Sequence, residues 1–287
     1  MWLGLALACD PDDPPRKHPT DSDADADADS DTDTDTDADT DTATHTGAPP
    51  PLPGGDIVAS VYASGAFGTS AFLGAYAGDA YSTCAVEAVF GACTVLVCDQ
   101  TASAPEVSVG DGWVTVDGVA ALTFEWQGSH YLLASSPTPV FVGGEWVEVG
   151  ASGADGPAFT VAAAAPSPGV WEGAAVPPDP LPLSEAYLAQ WTPYESEGWV
   201  TVTAGSGTGT SHDIRCLFDP AAGEGEIPLD ALGRLEPGRG YLRVSTNVVV
   251  ETQIVDDAGL PWDLQAWLTA EVLTSAGLPA GWQVQWE

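Results

Sequence analysis

From Gly54 onward, short apolar runs alternate with polar positions, and no stretch holds a helical period for long. Runs rich in Val, Thr, Tyr, Phe and Trp are punctuated by Gly, Asp and Ser at intervals of roughly 8–12 residues, the spacing of sandwich and barrel folds. In the first half the pattern predicts strands at Ile57–Ala63, Ala71–Ala77, Ala85–Val89, Thr94–Cys98, Val107–Val109, Trp113–Val116, Leu122–Trp126, Tyr131–Ala134, Glu145–Val149 and Ala158–Ala163. Asp111-Gly112, Asp117-Gly118, Gly128-Ser129 and Gly143-Gly144 supply the positive-φ residues that tight hairpins require.

The second half reads the same way. Strands are predicted at Leu183–Trp191, Trp199–Thr203, Asp213–Phe218, Gly240–Ser245, Val248–Ile254 and Gln265–Val272, with Gln283–Trp286 as an edge. Ile214, Cys216 and Phe218 share one face, and Trp191 lies on an earlier strand. A buried Trp against a core Cys is an immunoglobulin-like arrangement. Pro228 to Leu232 reads as one helical turn opened by Pro. A Pro-rich stretch, Pro177 to Pro182, follows the alanines that end the first half. The expected fold is therefore all-β: two tandem β-sandwich, immunoglobulin-like domains, 54–166 and 167–287.

The N-terminal part breaks the pattern. From Asp21 to Asp41 every odd position is Asp, with Ser, Ala or Thr between. Such a run cannot bury apolar surface and its charges repel, so residues 10–53 are expected to be a disordered, extended tether. About forty residues span ~35 Å as a flexible coil and ~150 Å when stretched. Asp at i, i+2 and i+4 begins like a calcium loop, but no Glu closes it and no Gly falls before Gly47. A Thr-rich, Pro-flanked tract also has the composition of an O-glycosylated stalk; a solvated spacer is the favoured reading.

Before the tether stands a short apolar run, Trp2 to Ala8, then Cys9. Ala6-Leu7-Ala8-Cys9 resembles the processing site of a bacterial lipoprotein. The resemblance implies cleavage before Cys9 and lipid on its sulfur and its new amino group. Residues 1–9 are then a partial lipoprotein signal, and Cys9 is the lipidation site. Ala6 stands where such sites carry Leu, and no Lys or Arg precedes Cys9, so translation is expected to start upstream. No other segment approaches the ~20 apolar residues of a spanning helix.

Charge narrows the partners. The chain carries 42 acidic and 6 basic residues, a formal charge of −36, and residues 54–198 contain neither Lys nor Arg. A surface of this sign repels phosphate backbones, which argues against nucleic acid, and it repels anionic lipid directly. The expected contact with membrane is through the N-terminal lipid alone.

With Cys9 lipidated, four cysteines remain, and export favours disulfides. A hairpin turning at Phe90-Gly91-Ala92 sets Cys84 and Cys98 seven residues either side of Gly91, so that pair is favoured. Cys84–Cys93 is the runner-up. Cys93 and Cys98, ~16 Å apart on one strand, are too far to pair. Cys93 is then left free, and Cys216 reads as a small buried hydrophobe.

No catalytic, metal or cofactor site is expected. Ser211-His212-Asp213 are neighbours on a strand, whereas triad members meet from separate segments. The four His show no zinc-ligand spacing. Gly205 to Gly209 lacks the third Gly of a dinucleotide fingerprint and precedes no helix. Among the 11 Trp, core packing accounts for most. Trp262, Trp282 and Trp286 are the exposed candidates for stacking on sugar rings, because Pro261 and Gly281 put two in turns and Trp286 is near the end.

The segments Cys84 to Cys98, Phe141-Val142-Gly143-Gly144-Glu145-Trp146-Val147, and Ile227 to Leu235 after Cys216 resemble uncharacterised secreted Asp/Thr-linker lipoproteins of myxobacteria and their relatives. The resemblance implies tandem β-sandwich domains outside the cytoplasm and brings no activity with it. The expected function is a non-enzymatic, lipid-anchored protein of the cell envelope, periplasmic or at the surface. It would present β-sandwich domains for structural or adhesive contact with envelope polysaccharide or another surface protein. The alternative is a carbohydrate- or envelope-polymer-binding module using exposed Trp.

Overall fold

The structure is a computed structural model describing residues 54–77, 84–99, 106–173, 177, 179–206 and 210–287. Cys9 and the tether at 10–53 lie outside the described residues, as do positions 207–209 of the Gly205–Gly209 segment.

The described chain is all-β apart from two short turns. Strands β1 (Gly55–Ser64), β2 (Gly68–Ala77), β3 (Cys84–Phe90), β4 (Cys93–Asp99), β5 (Gly112–Val116), β6 (Val119–Phe124), β7 (Ala134–Ser136), β8 (Trp146–Ala151) and β9 (Phe159–Ala164) form the first half. The second half holds β10 (Val170–Trp171), β11 (Tyr187–Gln190), β12 (Trp199–Ser206), β13 (Thr210–Phe218), β14 (Glu224–Ile227), β15 (Gly238–Val255), β16 (Pro261–Glu271), β17 (Leu273–Thr274) and β18 (Gly281–Trp286). A 3₁₀ turn at Pro220–Ala222 is capped by Asp219, whose carboxylate accepts from the Ala221 N–H. The helical turn α1 (Leu229–Leu232) has Pro228 as its N-cap, one place outside the first helical position.

Strand pairing crosses the boundary expected at residue 166. The order β16-β15-β12-β13-β4-β3 forms a sheet to which β18 adds beside β15, so the β3–β4 hairpin of the first half is built onto the second. In return β16 lies along β1, and its apolar residues enter the first half's core. The described residues from 54 onward fall within a single compact unit.

Two expected strands, Gly240–Ser245 and Val248–Ile254, are one 18-residue strand, β15. The polar pair Thr246-Asn247 between them is not left to solvent. Both are buried with partners instead: Thr246 meets the Tyr194 hydroxyl, and Asn247 bonds Ser245 at 3.2 Å and Thr269 at 2.6 Å. A satisfied polar residue does not end a strand.

Because β15 is continuous, its alternate residues serve two cores in succession. Leu242 and Val244 belong to a core with Val95, Val200, Val202, Ile214 and Cys216. Val248 belongs to the other core, with Leu264 and Leu268 of β16, Ile57 and Val61 of β1, and Val147 and Val149 of β8. That second group is closed by a four-stranded sheet, β6-β5-β8-β9. The group around Leu242 is closed by smaller pieces: the β10–β17 and β11–β14 pairs and α1.

The cysteines complete the frame. The β3–β4 hairpin turns at Gly91-Ala92, and a bulge between Val86 and Ala88 brings Cys84 opposite Cys98, where they form a disulfide. The expected free Cys93 and lone Cys216 require correction: they form a second disulfide. The reason is tertiary, since β4 pairs with β13 and sets Cys93 directly opposite Cys216. Disulfides persist in oxidising compartments such as the periplasm and the cell exterior. No helix among the described residues is long and apolar enough to cross a membrane.

Candidate functional site

Two surfaces gather chemistry-bearing side chains. The first is the long sheet's face opposite the cores. Cross-strand register puts Arg215 of β13 beside Thr203 of β12, and Thr203 beside Arg243 of β15. Thr201, Ser245 and Glu271 form the next row. The Arg215 guanidinium reaches over these small residues to lie 5.2 Å from the Trp267 ring centre, and Arg243 stands 5.7 Å over Tyr62. Tyr62 donates to Glu271. Cation–π contacts of this kind hold long side chains down against the sheet.

Much of this face is buried, although Arg243 is exposed. Thr201, Arg215, Ser245, Trp267 and Glu271 are all buried. Burial pushes the Tyr62 hydroxyl far above its ordinary range, and Glu271 adds to this by accepting its proton in a hydrogen bond. Tyr62 is therefore a fixed donor, unsuited to act as a base near neutrality. Gly205 leaves room for Asp213 and Tyr241 to meet, since a Cβ there would stand 2.4 Å from Asp213 Oδ1. Burial raises Asp213, while the Tyr241 hydroxyl and the charges of Arg215 and His212 pull it back. Burial, then Asp213, raises Tyr241 in turn. The charges of Arg215 and His212 thus act on Asp213, while Arg243 lies over Tyr62, the donor to Glu271.

Ser211, His212 and Asp213 do not converge. Alternation along β13 turns His212 away from Asp213, and its Nε2 lies 3.6 Å from Glu87, which also pairs with Arg234 at 2.7 Å. Among the described residues no group of His, Cys, Asp and Glu is arranged to hold a metal. The pocket lined by Leu181, Pro182, Tyr187, Leu188, Leu232 and Trp286 has a volume of ≈ 130 Å³, against the ~300–1,000 Å³ of small-molecule sites. Burial alone pushes the Tyr187 hydroxyl there up to about 12.

The expected stacking residues need correction. Trp262 is 4% and Trp286 2% exposed, and each is tied by its indole N–H, Trp262 to Asp256 at 3.2 Å and Trp286 to the Gly205 carbonyl at 2.9 Å. Trp282 is partly buried against the core around Leu242, its ring centre 5.4 Å from that of Trp171. Each lies at an inward position of its strand, which outweighs the neighbouring Pro or Gly.

The second surface is the outer face of the four-stranded sheet. Val147, Val149 and Ala151 of β8 point into the core, so Trp146, Glu148 and Gly150 point outward. Register aligns Trp113 with Gly150 and Thr160, Thr115 with Glu148 and Ala162, and Trp146 with Ala164. The Trp113 indole lies over Gly150, where a Cβ would come 2.6 Å from its Cζ2. Trp146 is 55% exposed. Its backbone is fixed on both sides: its N–H donates to Asp117 Oδ1 at 2.9 Å, and its carbonyl accepts from the Asp117 N–H at 2.8 Å. The Glu145 carboxylate, accepting from Val142 and Gly143, stiffens the loop before it. This surface was missed by sequence reasoning, although the Val-X-Val alternation beside both tryptophans carried the signal.

No protein-family model and no curated protein matches the chain. Among solved structures it is similar to a Ca2+-stabilized adhesin that helps an Antarctic bacterium reach out and bind ice. The identity is 14% over 78% of this chain and 50% of that one, with a TM-score of 0.17. It is also similar to a 1.5-MDa bacterial ice-binding adhesin, at 11% identity over 76% of this chain and 66% of that one, with a TM-score of 0.16. The chain thus spans half the length of the first and just under two thirds of the second. At such TM-scores the likeness carries no argument about fold or function.

Proposed function

We propose that this is a non-enzymatic envelope protein, anchored by lipid at Cys9, that holds a rigid β-body away from the membrane for structural or adhesive contact. The observation that supports this most is the body's construction. One 18-residue strand serves both cores, and two disulfides brace the edge where β3 and β4 join β13. Such a body resists deformation in an oxidising compartment. The acidic tract gives it reach, and the order Ala6-Leu7-Ala8-Cys9 gives it an address.

The test is expression of the gene in its full reading frame with labelled fatty acid. Label should appear on the mature chain, the protein should fractionate with membrane, and Cys9→Ala should release it. Beads coated with the protein should adhere to envelope material. An unlabelled soluble chain overturns the anchor, and inert beads overturn adhesion. The carbohydrate reading loses its original support, because Trp262 and Trp286 are buried.

A further inference from the structure

On the outer face of the four-stranded sheet Trp146 is exposed and Trp113, Thr115, Glu148 and Ala162 are partly exposed, and the chemistry there is specific. Two indoles stand over the line of β8, one from Trp146 itself and one from Trp113 leaning across Gly150. Positions 146 and 150 are four residues apart, or ~13 Å at strand rise. Between them lie Thr115, Glu148 and Ala162, which supply one hydroxyl, one carboxylate and no bulk. Both tryptophans are held by strand backbone rather than by loops, so little freedom is lost when something stacks on them.

We infer that this face is a stacking platform for a neutral polysaccharide chain laid along β8. The inference rests on the adhesive reading above and names its ligand class and contact residues. Indole faces suit the apolar C–H faces of sugar rings. The Glu148 carboxylate and Thr115 hydroxyl suit sugar hydroxyls, which can donate to both. An acidic polymer is disfavoured, because residues 54–198 hold no Lys or Arg to receive it. A basic polymer is disfavoured as well, because one carboxylate between two indoles, among Thr, Ala and Gly, makes no extended negative stripe.

The experiment is affinity electrophoresis of the full chain through gels holding a neutral glucan, mannan, xylan or galactan, with polygalacturonate and poly-lysine as charged comparators. Retardation is expected in at least one neutral gel and should not respond to salt. Trp113→Ala and Trp146→Ala should each weaken it roughly 2- to 10-fold, the range of one aromatic contact. The double variant should abolish it. Trp199→Ala, at an exposed position 49% accessible on another sheet, should leave it unchanged. Unchanged circular dichroism and melting separate lost binding from lost fold. No retardation in any neutral gel overturns the inference, as does retention by the double variant or salt-sensitive binding to poly-lysine alone. Concentration-dependent dimerisation that Trp146→Ala removes also overturns it, since a second copy would then cover the face. Bead adhesion undiminished in the double variant would leave the adhesive reading standing while this one falls.

Discussion

The two cores sit on the same side of one long sheet and are closed in different ways. The core around Ile57, Val147 and Leu264 is covered by four strands that bond to one another and satisfy most of their own backbone groups. A lid of this kind stands by itself and offers a flat outer surface. The core around Val202, Ile214 and Trp191 is covered by two-stranded fragments and one helical turn. Such pieces are too short to be stable alone, and this core contains Cys93 bonded to Cys216. A complete sheet frees a face for contact with the outside, whereas a patchwork lid draws on covalent bracing.

If that contrast is right, the largest loss should follow removal of the Cys93–Cys216 bridge. It closes a separation of 123 residues, against 14 for Cys84–Cys98. The chain-entropy model gives about 5 kcal/mol for the long loop and about 3 kcal/mol for the short one. Urea unfolding of Cys93→Ser/Cys216→Ser and of Cys84→Ser/Cys98→Ser should rank them in that order, and the reverse order would break the argument.

The next test asks whether the cores are independent. Trp262→Ala in one should cost about 3–5 kcal/mol, and Leu242→Ala in the other about 2–5 kcal/mol. Because β15 runs through both, each variant should still unfold in a single transition by fluorescence and circular dichroism. Two separated transitions would show that the shared strand does not couple the lobes.

Alkali should act through the polar face and the patchwork lid. Tyr62 and Tyr241, buried beside Glu271 and Asp213, and Tyr187 in its pocket are all raised above their ordinary value of 10.0. In that window the folded chain holds protons that the unfolded chain has lost, so stability falls as pH rises above about 10. Absorbance of tyrosinate should appear together with loss of ellipticity. Tyrosines that all titrate before unfolding would contradict the burial. Asp213 obeys the same sign at acid pH. Its raised carboxyl makes stability fall as pH rises from its ordinary value through its folded one, and Asp213→Asn should flatten that slope.

The smallest effect belongs to the open face. Trp146→Ala should change stability by no more than about 0.5 kcal/mol, as surface substitutions do. A larger loss by thermal melting would mean that Trp146 is structural and that the face is not free.

Much of the fold was legible because period-two alternation reports local geometry. Val147-Glu148-Val149 and Val114-Thr115-Val116 announced strands and placed them within a residue or two. The same rule, applied to Trp262-Asp263-Leu264 and Trp282-Gln283-Val284, predicts tryptophans on the inner face. It would also have placed Trp113 and Trp146 outside. Weighing a neighbouring Pro, or nearness to the chain's end, above alternation puts Trp262 and Trp286 at the surface, whereas both are buried.

By itself the sequence determined the all-β character, the existence of a hairpin turning near Gly91, the acidic tract and the near absence of cations. Each of these follows from composition or from residues within a few positions of one another. Tertiary structure alone decided that β4 would lie beside β13, that Cys93 would therefore meet Cys216, and that β16 would fill the other half's core. It also decided that Arg215 would close over Trp267. Pairing between distant strands depends on which edges remain open once every apolar face is covered. That is a property of the whole sheet, and no local pattern encodes it.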